Sequence, residues 1–216
     1  MKGDIINLND EYRNTAKKLA GPLIKEIKNY KNIYTFSVAG ESGAGKSITA
    51  AAIAEFLEHE GFNVKIFQQD DYFYLPPFAN DQKRRKDLKW VGPQEVNLSL
   101  LDQHLKEAKL GVAEIIKPLV IYPENKITRE VFDMKKVQVC IAEGTYTSLL
   151  KNINKRVFID RNYKDTFNDR KKRARDKMDH FNEEVLKIEH QIIHQHKQLA
   201  DIILDKNFNA HYINNT

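Results

Sequence analysis

The sequence predicts an α/β fold with a mostly parallel five-stranded sheet and helices on both faces. Three observations carry that prediction. Short β-branched and aromatic runs alternate with stretches of helical apolar spacing along the whole chain. Those runs are almost continuously apolar, as strands covered on both faces are. A glycine-rich turn, Gly40–Ser47, joins the first run to a helix. The chain has 216 residues, enough for one sizeable core. It shows no internal repeat or low-complexity linker. It divides into an N-terminal helical extension (1–32), one domain (33–206) and a polar C-terminal tail (207–216).

In the extension, Leu19, Leu23, Ile27 and Tyr30 recur at helical spacing, broadened by Ala16, Ala20 and Ile24. Gly21-Pro22 breaks the helix. The stripe faces either this domain or a second copy of the chain, so a homodimer is one expectation. Ile33–Ala39 reads as the first strand. The helix after the turn shows Ile48, Ala52 and Phe56 on one face and stops near Gly61. Val64–Gln69 is the second strand. Residues 79–97 read as a polar loop carrying Lys83-Arg84-Arg85-Lys86, with Trp90 and Gly92-Pro93 as hinge candidates for a lid. Ser99 and Asp102 form a capping-box pattern before a helix faced by Leu101, Leu105 and Ala108. Ile115–Tyr122 and Ile127–Phe132 read as a β-hairpin inserted into the βαβ repeat, placed to wall a pocket. Val137–Ala142, Arg156–Asp160 and Ala200–Leu204 complete the strands. Between the last two, Thr166 and Asp169 suggest a second capping box, followed by the cation-rich start Arg170–Lys177.

The chemistry starts at the turn, which reads G-x-x-x-x-G-K-S. Its glycines let backbone N–H groups converge on phosphate oxygens. Lys46 supplies a mobile cation, and the Ser47 hydroxyl is placed to hold Mg²⁺. The helix N-terminus adds positive partial charge. The nucleotide-binding stretch is thus Gly40, Glu41, Ser42, Gly43, Ala44, Gly45, Lys46, Ser47 and the adjoining Ile48. Strand, loop and helix occur in the order this pattern requires.

Two strands end in acids. Asp70-Asp71 follow the second strand and lead into Tyr72, Phe73, Tyr74 and two prolines, which read as an apolar wall beside a charge. Glu143-Gly144 follows the strand around Cys140. In open α/β sheets the ligand crevice lies outside these carboxyl ends. An acid there can hold Mg²⁺ beside phosphates, so Ser47 and Glu143 are the metal candidates. The alternative for each acid is a turn or helix cap.

Other features read as ordinary. Cys140 sits in an apolar run and suits a core position in a reducing cytoplasm. His190 and His194 are four apart on a helix, but no Glu follows His190, so the pair reads as helix surface. The net charge of +5 favours anions without naming one. No apolar run spans a membrane, no secretory leader is evident, and no nucleic-acid recognition module is present.

Four blocks taken together resemble the uridine kinase-like branch of P-loop kinases, which includes phosphoribulokinase, pantothenate kinase and nicotinamide riboside kinase. They are Gly40–Ser47, Gln69–Phe73, Ile141–Gly144 and Arg173–Asp176, with Ala200–Leu204 similar to the family's last strand. The resemblance covers about residues 33–206. It implies a three-layer P-loop NTPase fold with a hairpin insertion and a basic lid. It implies a kinase that uses ATP and Mg²⁺. Asp70 matches the base that accepts the acceptor hydroxyl's proton, and Glu143 the acid that organises Mg²⁺. Lys46 belongs to the phosphate machinery. Arg173 and Arg175 match the phosphate-clamping lid, with Arg170 or Lys172 as substitutes one register away. Tyr72, Phe73 and Tyr122 are the acceptor-binding expectations beside Asp70. The family's base-recognising His after the hairpin tyrosine has no counterpart after Tyr122. The expected acceptor is a nucleoside such as uridine or cytidine. Pantothenate, glycerate and sugars are alternatives, and a nucleotide hydrolase or switch is the rival class.

Overall fold

Two helices, α1 (Asp10–Ala20) and α2 (Ile24–Asn29), precede β1 (Tyr34–Gly40) and α3 (Lys46–His59). Next come β2 (Val64–Gln68), α4 (Pro77–Lys86) and α5 (Leu98–Lys109). The ribbon strands β3 (Glu114–Ile121) and β4 (Lys126–Asp133) follow, then β5 (Val139–Glu143) and β6 (Lys155–Ile159). The chain closes with α6 (Phe167–Arg173), α7 (His180–Ile193), β7 (Ile202–Leu204) and β8 (Ala210–Tyr212). The structure, a computed structural model, describes residues 6–173 and 179–213.

The main sheet runs β2-β5-β1-β6-β7-β8. The first five are parallel neighbours, as the apolar runs predict, and β8 adds an antiparallel edge. That sixth strand lies in the stretch the sequence reads as tail. The Asp205 carboxylate accepts from the Asn207 and Asn209 backbone N–H groups, closing a turn that returns the chain along β7. Polar residues around a three-residue strand hide it from periodicity.

Alternation along the strands feeds two cores. Phe36, Val38, Ile141 and Ile159 join Leu19, Ile53 and Leu57 on one face. Ala39, Cys140, Ala142 and Phe158 join Leu101, Leu105 and Ile193 on the other. Three layers result, α1 and α3 against one face and α5 and α7 against the other. The stripe Ala16, Leu19, Ala20, Leu23 and Ile27 is buried inside this chain's own core. Its apolarity therefore needs no second copy. Helix α3 is squeezed between sheet and α1, so Thr49, Ala50, Ile53 and Leu57 are buried, whereas Ile48 and Phe56 of the expected face are half-exposed.

Residues 79–97 differ most from expectation. They hold a helix and two short 3₁₀ turns rather than a loop. Pro77 starts α4, where its missing N–H costs nothing. Arg84 reaches fully buried Glu95 through Nε and through Nη2 at 2.9 Å, and Nη2 lies 3.2 Å from Glu189 of α7. Lys83 sits 3.2 Å from the Trp90 ring centroid. Arg85 pairs with Asp81 at 2.9 Å and reaches Asp179 and the Phe181 ring, so three of the four clustered cations are engaged, and Arg84 and Arg85 tie the segment to α7. Both capping boxes also fail. Asn97 caps α5 by accepting from Leu100 N–H, while Asp102 holds the 151–152 backbone. Asp169 pairs with Arg161, and Thr166 turns to the glycine-rich loop.

Candidate active site

Register along three adjacent strands assembles the site. Val38 of β1 and Gln68 of β2 both lie opposite Glu143 of β5. The loop after β1, the turn carrying Asp70 and the carboxylate of Glu143 therefore emerge side by side at one end of the sheet. Gly43 is needed on two counts: its φ is 78°, and a Cβ there would come within 2.7 Å of Arg170 Cγ. At Gly144 a Cβ would overlap the Gln69 side chain, so glycine lets the chain leave β5 against the Asp70 turn.

Lys46 Nζ donates to the Glu41 carbonyl at 2.9 Å, folding the cation over the loop. Ser47 Oγ donates to Glu143 Oε1 at 3.1 Å. Burial first, and then the nearby Asp70 charge, push the Glu143 carboxyl up to about 7. A part-buried hydroxyl–carboxylate pair held by two elements, with a second acid beside it, suits a divalent cation by its oxygen donors.

The loop is braced from outside. Glu41 is buried, and its Oε2 accepts from Tyr163 N–H at 2.7 Å. Its Oε1 lies 2.6 Å from His190 Nδ1. His190, read from spacing as helix surface, is thus the link between α7 and the loop, and its ring stacks on His194. Among the described residues no group of three or more His, Cys, Asp or Glu is placed to hold a metal ion. Arg170 donates to the Tyr163 carbonyl and to Thr166 Oγ1, both at 2.6 Å, and packs against Gly43. The Arg173 side chain and Arg175 lie outside the described residues.

The second acid faces the ribbon. Asp71 Oδ1 accepts from Val120 N–H at 2.9 Å, and Oδ2 accepts from Lys117 Nζ at 2.7 Å. Both side chains are essentially buried, at 2% and 1% exposure. Lys117 Nζ also reaches the Pro118 carbonyl at 2.8 Å and Glu130 Oε2 at 3.3 Å. A cavity of about 260 Å³ opens between Ser47 and Glu143 on one side and Asp71, Lys117, Glu130 and Phe132 on the other.

The sequence model of the phosphoribulokinase/uridine kinase family matches residues 35–163, from β1 through the loop, both acids and the ribbon to the end of β6. The chain belongs to this family. A bifunctional α-galactosidase/sucrose kinase of Mediterraneibacter gnavus is 24% identical over 179 residues, 75% of this chain and 19% of that protein. The chain thus spans about a fifth of the length of this curated relative. Among solved structures, one described as a possible uridine kinase from Bacillus stearothermophilus superposes with a TM-score of 0.60 at 16% identity, covering 89% of this chain and 98% of its own. D-glycerate 3-kinase from Cryptococcus neoformans gives 0.58 at 14%, covering 95% and 100%. Phosphoribulokinase from Rhodobacter spheroides gives 0.62 at 14%, covering 85% and 76%. At such identities these structures establish the fold alone.

For this member of the phosphoribulokinase/uridine kinase family, the expected residues separate into two groups. Gly40–Ser47, Asp70 and Glu143 converge. Of these, Ser47 and Glu143 line the cavity; Asp70 and Lys46, which neighbour Glu143, are not among its lining residues, and neither are Tyr72, Phe73 and Tyr122. Tyr72 is buried with its hydroxyl 2.9 Å from His104 Nδ1, Phe73 bridges to Val96, and Tyr122 meets Phe78 edge-on. Each aromatic finds apolar or hydrogen-bonding partners in the packing of α5, α4 or the ribbon turn. Lys117 and Glu130 were not singled out from the sequence. The signal was present in Lys117, a charge inside the apolar run Ile115–Val120.

Proposed function

We propose that this protein is an ATP-dependent kinase that transfers the γ-phosphoryl group to a hydroxyl of a small metabolite. The observation that supports it best is the convergence of Ser47, Glu143 and Asp70 at three adjacent strand ends beside the loop. A hydrolase would share the loop, the metal-holding pair and a group that positions water. Here an additional acid stands beside a walled cavity, where a hydroxyl can be oriented.

In this reading the loop N–H groups and Lys46 hold the phosphate chain. Ser47 and Glu143 hold Mg²⁺, which when bound neutralises charge on the β- and γ-oxygens. Asp70 orients the acceptor hydroxyl and takes its proton. Glu41, gripped by His190 and Tyr163 N–H, keeps the loop registered against α7. Arg173 and Arg175, or Arg170, supply the lid cation. Positioning and electrostatics dominate such chemistry. The buried thiol of Cys140 is consistent with a cytoplasmic setting.

The relatives' descriptions name a uridine kinase, a sucrose kinase and a glycerate kinase. Resemblance alone favours a nucleoside here, and the other acceptors are compatible with the same phosphoryl half. An ATP-consumption screen over nucleosides, sugars, vitamins and sugar acids, with Lys46→Ala as blank, tests the reading. Acceptor-dependent ADP release that disappears in Lys46→Ala supports it. ATP hydrolysis that no metabolite alters sinks it in favour of a hydrolase.

A further inference from the structure

The cavity beside the loop has a charge pattern that speaks to its occupant. Its walls carry the carboxyl groups of Asp71, Glu130 and Glu143, and Lys117 is the cation among its lining residues. An ammonium group has three N–H donors and accepts nothing. All three donors of Lys117 have partners, in Asp71, the Pro118 carbonyl and Glu130. Withdrawing Lys117 towards an anion would strand a buried Asp71 carboxylate, which is strongly unfavourable. The charged part of the lining therefore presents acceptors, chiefly Glu130, beside the Gln68 amide and the apolar Ile66, Leu119 and Phe132, and its cation is committed.

The aromatic surface is committed too. Phe132 meets Phe67 edge-on at 5.1 Å, and its ring carries Lys65 at 5.2 Å and Lys117 at 5.1 Å. A nucleobase gains much of its binding from an open aromatic face, and Phe132 has three neighbours competing for its own. Tyr72, Phe73 and Tyr122, the other aromatic candidates, are engaged elsewhere. The volume of about 260 Å³ lies just under the range of ~300–1,000 Å³ usual for drug-sized ligands.

We infer that the acceptor is a compact, uncharged, hydroxyl-rich molecule of the sugar or polyol class, and that the Asp71–Lys117–Glu130 cluster selects against anionic acceptors. Hydroxyl groups donate to carboxylates without desolvating a second charge. A carboxylate- or phosphate-bearing acceptor meets like charges instead. This inference rests on the kinase reading and narrows it.

The test measures ATP binding by calorimetry, then ADP release and acceptor binding with uncharged sugars and polyols, uridine, D-glycerate, pantothenate and ribulose 5-phosphate. Phosphorylation of an uncharged sugar or polyol, with kcat/KM on the order of 100-fold above that for any anion, is expected from like-charge exclusion. In Glu130→Lys that ratio falls on the order of tenfold while the KM for ATP stays put; Glu130→Gln moves it the same way by less. A preferred anion or uridine overturns the inference and leaves the kinase reading standing. So does failure of every uncharged sugar and polyol to bind or react in a protein that binds ATP. An unchanged ratio in Glu130→Lys removes the cluster's selecting role. A protein that binds no ATP defeats the kinase reading itself.

Discussion

The phosphate side and the acceptor side of the cavity are built by different physics. On the phosphate side the backbone does the work: loop N–H groups, a glycine with positive φ and a helix N-terminus create the site, with Lys46 and Ser47 added. On the acceptor side, side-chain charges do it. Asp71, Lys117 and Glu130 tie the β3–β4 ribbon to the turn after β2. A backbone site is written in local sequence. A site made of ion pairs between residues 46 apart, as Asp71 and Lys117 are, is visible only once the fold is known.

The two halves separate by mutation. Lys46→Ala should lower kcat on the order of 10³-fold, since it removes charge stabilisation of the transferring group. Its denaturation midpoint should stay near wild type, because Lys46 is half-exposed and outside the core. Steady-state kinetics and urea denaturation measure both. Loss of fold would mean that the loop is not a separable element.

Lys117→Met should do the opposite. It strands the buried Asp71 carboxylate and should cost about 3–5 kcal/mol of stability by urea denaturation. ATP affinity of the folded fraction should be unaffected. A variant as stable as wild type would show that the ribbon is not held by this pair.

Legibility follows the same division. Five parallel strands, the hairpin insertion, the loop and both strand-end acids were readable because apolar runs, glycine chemistry and motif order are local. Strand β8 was not, since Ala210–Tyr212 carries no apolar signature and depends on the Asp205 turn. Helix α4 was hidden because its cations suggest solvent, yet Arg84 is satisfied by Glu95 and Glu189 from distant segments. His190 was noticed for its spacing to His194, but its partner Glu41 lies 149 residues away. Tyr72 and Phe73 were assigned to the pocket by adjacency to Asp70, although successive side chains point in different directions.

A smaller effect concerns pH. Burial holds the His104 and His196 rings below their usual pKa of 6.5. The unfolded chain then binds more protons than the folded one as pH drops through that value. Stability supported by these neutral rings is intact above about 6.5 and erodes as pH falls towards the lowered folded pKa values. Between about pH 7.5 and 5.5, the His range, Glu143 works in the opposite sense, its carboxyl being pushed up to about 7, so the histidines are read by difference: acidification should cost a His104→Gln/His196→Gln variant less stability than it costs wild type. Equal slopes would assign the acid sensitivity to other groups.

The kinase reading turns on Asp70, set beside Glu143 and the loop, activating an acceptor hydroxyl. The direct measurement is phosphorylated product formed per ATP consumed, with the best acceptor from the screen, for wild type and Asp70→Asn. Wild type should form one product per ATP, and Asp70→Asn should lose about 10²–10⁴-fold in transfer, with ATP binding unchanged. Near-normal transfer by Asp70→Asn, or ATP consumption that outruns product and ignores the acceptor, would contradict it.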